Sequence, residues 1–145
     1  MRSSVLAVIS LVAVAACAAQ GAPSGARIDV RNAWIRTPPP GAPTAAGYVT
    51  IINRAIASDR LTGAYTSAAA SVGLHDMQKA GGVMRMRPLP GGIAIGSSAT
   101  VSLTPNGRHL MLTGLKRPLK AGEHVRVVLQ FQRAGDVPAE FAVHD

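Results

Sequence analysis

The chain has 145 residues, of which 48% are hydrophobic, 3% aromatic and 15% charged. That length suits one globular domain with a short appendage and excludes two full domains. Fifteen Lys and Arg against seven Asp and Glu give a net charge of +8, and the single cysteine, Cys17, lies outside any core. A disulfide scaffold, a CxxC redox pair and a cysteine-based zinc site are therefore excluded, which leaves His and Met as the only soft-metal donors.

Residues 1–17 read as a signal peptide. Arg2 supplies a short basic start, and Val5 opens an apolar run of twelve residues that ends at Ala16. Such a run is too short to cross ~30 Å of hydrocarbon as a helix and has the form of a secretory signal. It ends Val14-Ala15-Ala16-Cys17, which resembles a bacterial lipoprotein box with Cys17 as the lipidated mature N-terminus. The alternative is ordinary cleavage after Ala18 or Ala19. Both routes take the chain out of the cytoplasm, to the periplasm or cell envelope, and the first anchors it to the membrane through Cys17.

Export changes the meaning of the positive charge. Nucleic acid is not an expected partner, because Trp34, Tyr48, Tyr65, Phe131 and Phe141 are too few to form a base-stacking platform and the cations are scattered. A basic face for an acidic protein or anionic lipid remains, alongside the plainer reading of a solvated, arginine-rich surface.

Residues 18–26 are small and suit a tether, so the folded domain is expected over 27–145. Within it the apolar residues alternate: Ile28, Val30 and then Trp34; Tyr48, Val49 and Ile51; Val101 and Leu103; Val125, Val127, Leu129 and Phe131. A period of two predicts strands. Turn residues punctuate them at Pro38-Pro39-Pro40-Gly41, Gly81-Gly82, Pro90-Gly91-Gly92, Gly96-Ser97-Ser98, Pro105-Asn106-Gly107 and Ala121-Gly122. Short strands at this spacing indicate an all-β sandwich or barrel. No segment carries a helical stripe and no internal repeat is present.

The methionines carry the functional signal. Apart from Met1 they are Met77, Met84, Met86 and Met111, and His75 and His109 fall in the same stretch. They form three pairs spaced i, i+2, namely His75 with Met77, Met84 with Met86, and His109 with Met111. On a strand that spacing puts both side chains of a pair on one face. A thioether never has to lose a proton and a neutral imidazole is a borderline ligand, so the combination favours Cu(I) over zinc, iron or magnesium. Taken singly, each Met reads as core filler and each His as a surface or hydrogen-bonded residue. The pattern alone leaves a soft-metal site and packing both open.

His75, Met86 eleven residues later, and His109-Leu110-Met111 resemble the signature of the PCu(A)C family of periplasmic copper chaperones. The surrounding Gly73-Leu74-His75-Asp76-Met77 and Gly82-Val83-Met84-Arg85-Met86-Arg87-Pro88 are similar too. The resemblance implies a cupredoxin-like Greek-key β-sandwich that binds Cu(I) through His75, Met86, His109 and Met111. It also implies delivery to the CuA-bearing subunit of cytochrome c oxidase, alone or alongside a Sco-type copper protein. The interval from Met86 to His109 is one residue longer than the family's usual gap, an insertion that the intervening turns absorb. Met77 is a candidate accessory donor or shield, whereas Met84 reads as packing, His124 as strand-edge surface and His144 as tail. Arg85, Arg87 and Arg108 flank the ligands and could meet an acidic acceptor.

Two other functions are compatible with the sequence. One is copper buffering or resistance without a fixed recipient, and the other a metal-free β-sandwich lipoprotein for adhesion or assembly. No enzyme is expected, because nucleophile elbow, P-loop and paired carboxylates are all missing and the acids are scattered.

Overall fold

The structure is a computed structural model that describes residues 27–145. The signal peptide, Cys17 and the tether lie outside the described residues. Ten strands follow one another: β1 (Ile28–Arg36), β2 (Thr44–Asn53), β3 (Asp59–Tyr65), β4 (Ala69–Ala80), β5 (Val83–Pro88), β6 (Ile93–Ile95), β7 (Thr100–Leu103), β8 (His109–Leu115), β9 (His124–Phe131) and β10 (Gly135–His144). Among the described residues no helix is long and apolar enough to cross a membrane.

The strands pair in the order β5-β4-β8-β2-β1-β10-β9-β3-β6, and a further β4–β3 pairing closes β4, β8, β2, β1, β10, β9 and β3 into a ring. The closure is narrow, resting on Ala64 opposite Val72. Closure matters because a sheet edge otherwise offers unpaired backbone groups to other chains. Only β1 and β10 run parallel, and the remaining pairings are antiparallel.

The interior is filled by one set of each alternating pattern. In β9 it is Val125, Val127, Leu129 and Phe131, all buried as the alternation predicts, and these meet Ile35, Ile51, Leu61, Leu110, Leu112 and Phe141. The expected turn clusters separate the strands. Gly81 and Gly82 both have positive φ and make the tight β4–β5 reversal, which a residue with a Cβ would resist.

One strand departs from simple alternation. Ile28, Val30 and Trp34 share parity in the sequence, which predicts one common face. A bulge between Arg31 and Trp34, with Asn32 at φ 50°, adds a residue to β1 relative to β2. The extra residue exchanges the two faces. Ile35 becomes the fully buried residue, while Trp34 turns to the outer face, opposite Tyr48.

Strand β4 is the longest, and its two halves have different neighbours. Residues from Ala69 to His75 pair with β8, whereas those from Asp76 to Ala80 pair only with β5. The β4–β5 hairpin therefore projects beyond the start of β8, and every residue of β5 is exposed.

Candidate metal centre

Strand parity places the donor residues on the face of β5-β4-β8 opposite Leu74, Leu110 and Leu112, away from the core. Three registers fix their arrangement. His75 lies directly opposite His109, Gly73 opposite Met111, and Met77 opposite Met86. The three i, i+2 pairs thus occupy adjacent strands and one surface, where packing into separate parts of the core would have scattered them.

The imidazoles form the centre. Their ring centroids are 5.9 Å apart with an interplanar angle of 23°. His109 is buried, and its Nδ1 donates a hydrogen bond to the carbonyl of Gly107 at 3.0 Å. A carbonyl can only accept, so the proton is on Nδ1 and the lone pair on Nε2. A backbone carbonyl orients metal-binding histidines in this way in general. The Nδ1 of His75 is shielded from solvent and has no hydrogen-bond partner. A buried nitrogen without a partner carries a desolvation cost that a ligand could relieve. Burial, and then the neighbouring His109, push the pKa of His75 below its ordinary value, which favours the neutral ring.

Gly73 makes room for this ring. A Cβ at position 73 would lie 2.9 Å from Cε1 and 3.5 Å from Nδ1 of His75. The imidazole thus leans over Gly73 towards the strand position of Met111. Sequence reasoning did not single out Gly73, although a glycine inside a strand pattern is a recognised sign of close approach.

Met111 and Met77 sit diagonally from the imidazole pair on opposite sides, and Met86 lies one strand beyond Met77. For a flat sheet, two strand spacings and four residues separate the Cα atoms of Met86 and Met111 by about 17 Å. The described register therefore brings His75, His109 and Met111 together and leaves Met77 and Met86 on the projecting hairpin.

Several smaller expectations are revised. Met84 is not packing, because it is 46% exposed, on the same face as Met86, which is 47% exposed. His144 is not a loose tail. It ends β10 opposite Arg36, and its ring stacks on Trp34 with centroids 4.6 Å apart. Trp34 in turn contacts Tyr48 at 4.6 Å, and Tyr48 lies 6.5 Å from His109. An aromatic patch thus flanks the imidazoles on the side away from the hairpin, and only the bulge in β1 makes it. His124 is exposed at the start of β9, as expected. Arg85, Arg87 and Arg108 are exposed, the first two on the opposite face of β5 from its methionines.

The donor set constrains the metal. Among the described residues no three His, Cys, Asp or Glu side chains gather where they could hold an ion. A metal on this face must take thioether sulfur as well as imidazole nitrogen, which selects a soft monovalent ion. A groove of about 690 Å³ lies elsewhere, between Pro38–Pro43 and Leu115–Ala121. A smaller one beside it is lined by Pro38, Tyr48 and Met111 and connects that region to the donor face.

Comparison with known proteins bears on the fold and the family. The copper-bound PCuAC domain from PmoF2 has a TM-score of 0.69 and 26% identity, covering 81% of this chain and 92% of that one. The solution structure of CuI-DR1885 from Deinococcus radiodurans has a TM-score of 0.63 and 30% identity, covering 88% of this chain and 83% of that one. These likenesses bear out the expected cupredoxin-like β-fold. A protein of Leifsonia xyli subsp. xyli, named "Putative lipoprotein Lxx21020", is 34% identical over 118 residues, 81% of this chain and 70% of that protein. Residues 28–143 match the family described as "Putative lipoprotein LpqE-like", and by that match over nearly the whole described domain this chain belongs to the LpqE-like family, in the fold of the PCuAC domains.

Proposed function

We propose that this protein is an exported Cu(I) carrier. The observation that carries the proposal is the cross-strand His75–His109 pair, one ring with an unpartnered shielded nitrogen and the other with Nε2 freed by its bond to Gly107. Thioethers flank this pair, no cluster of acids among the described residues competes for the site, and the related DR1885 and PmoF2 domains are copper-bound in their solved structures. His75, His109 and Met111 form the seat of the ion, and Met86 completes the ligand set when the projecting hairpin curls towards the imidazoles. Met77 shields the ion on that side.

Neutral ligands suit a carrier. Cu(I) held by imidazole and thioether keeps its positive charge, and a thiolate acceptor binds it more strongly, so transfer runs downhill. The CuA-bearing subunit of cytochrome c oxidase, reached directly or through a Sco-type protein, offers such thiolates and is the recipient we favour. The lipoprotein descriptions of its family and relative support a place in the cell envelope, with Cys17 as the anchoring residue.

The test is an anaerobic Cu(I) titration of residues 27–145 against a competing chelator. One ion should bind tightly, and Met86→Leu, which conserves volume but removes sulfur, should weaken binding by about tenfold or more. An absence of tight binding, or unchanged binding in Met86→Leu, would refute the ligand set. Deleting the gene and measuring oxidase activity at low copper tests the recipient; unchanged activity would point to buffering instead.

A further inference from the structure

Two thioethers on this face have no role in the ligand set, and the hairpin arranges them around a third. Met77 and Met86 are directly opposed across β4 and β5, with Cβ atoms about 5 Å apart in such a pair. Met84 is two residues from Met86 on the same strand, so it faces the same side at about 7 Å. The nearest cross-strand neighbour of Met84 is Lys79, whose charged end can remain in water.

Packing does not account for these side chains. Met84 and Met86 are each nearly half exposed, and with Val83 they form three of the five large hydrophobics exposed on the described surface. A core filler would be covered. The hairpin that bears them extends past the barrel, with β8 no longer beside it. Methionine has three rotatable bonds, which lets sulfurs on neighbouring positions converge on one point.

The geometry points to a second Cu(I) position, outside the imidazole site, formed by the sulfurs of Met77, Met84 and Met86 and used to pass the ion to its acceptor. This inference rests on the Cu(I)-carrier reading above and adds a route out. The order of donors along the face is His109, His75, Met77, Met86, Met84, running from the barrel to its most exposed edge. Met86 belongs to both positions, and its exchange between them moves the ion outwards. Each move is a ligand substitution: a copper–nitrogen or copper–thioether bond breaks as the next copper–thioether bond forms. The metal remains Cu(I) throughout, and no oxidant or reductant is needed. At the end an acceptor thiol releases its proton to water, and its thiolate replaces the thioethers. Three neutral sulfurs without an imidazole should hold the ion more weakly than the inner site, as an exit position must.

The experiment follows the methionine ε-methyl resonances of residues 27–145 while Cu(I) is added anaerobically in two equivalents. X-ray absorption at each equivalent counts nitrogen and sulfur neighbours. The first equivalent should shift Met111 and Met86 and show both nitrogen and sulfur. The second should shift Met84 and Met77, shift Met86 again as it exchanges between the two positions, and add a shell of sulfur alone. In Met84→Leu, an exposed and volume-conserving change, the first equivalent should bind as before. The second should weaken by about tenfold or more, and hand-off to a two-cysteine peptide in stopped flow should slow correspondingly. A second equivalent that leaves Met84 unshifted, or hand-off from Met84→Leu at the unaltered rate, would overturn the outer position while leaving the carrier intact. Failure of the first equivalent to bind would instead remove the carrier reading itself.

Discussion

Gly73→Ala separates copper binding from folding. The backbone of Gly73 is that of an ordinary strand, so alanine meets no conformational obstacle there, and leaving glycine should favour the folded state by about 0.5 to 1 kcal/mol. Against this, the new Cβ would lie 2.9 Å from Cε1 of His75, closer than such atoms ever approach. The ring must rotate away, at about 0.5 to 1.5 kcal/mol if it is driven off its rotamer. These terms nearly cancel, so the melting temperature should move little. The ligand geometry does not recover in the same way. His75 stands at the centre of the donor face, opposite His109 and between Met77 and Met111, and swinging it from Gly73 moves its nitrogens from their place beside Met111. Misplacing one ligand by this route should lower Cu(I) affinity by about 10- to 100-fold, or about 1.4 to 2.7 kcal/mol. Chelator competition and thermal melts on the same samples measure both quantities. Cu(I) affinity within twofold of the parent, in a protein that melts normally, would show that the ring's position over Gly73 is not the binding position.

Acidification should destabilise the metal-free domain through His75. Its pKa in the fold lies below the unfolded value of about 6.5, so the unfolded chain takes up the proton first. The stability due to the neutral ring is complete above about pH 6.5 and is lost as pH falls through the lower folded value. Melts across pH 7.5 to 4.5 should show a shallower decline in His75→Asn than in the parent, and equal slopes would assign the effect to other groups. A core change should act on stability alone. Asn53 is 1% exposed, donates to the carbonyls of Ala57 at 2.9 Å and Gly96 at 3.1 Å, and accepts from the N–H of Ala55 at 3.0 Å. Asn53→Ala leaves these groups unpaired and should cost about 2 to 4 kcal/mol in chemical denaturation, with Cu(I) affinity unchanged. A loss below about 0.5 kcal/mol would mean that water replaces the carboxamide.

The class of fold, and the donor types open to the candidate site, were legible in the spacing of the residues. Period-two alternation in residues 125–131 predicts which side of β9 is buried, because a strand's side chains can only point alternately to its two faces. The same rule puts His75 with Met77 and His109 with Met111 on common faces, and the lack of cysteine after Cys17 restricts soft donors to imidazole and thioether. Which strands are neighbours is a non-local matter that no local spacing encodes. Tertiary structure alone set β4 between β5 and β8, and with it the opposition of His75 to His109 and of Met77 to Met86. It also decided that Met84 stands in solvent on a projecting hairpin, where the sequence reading made it packing, and that His144 stacks on Trp34. The bulge at Asn32 shows why: one additional residue in β1 reverses every side chain after it, so the faces of Trp34 and Ile35 depend on the register with β2 and not on their own spacing.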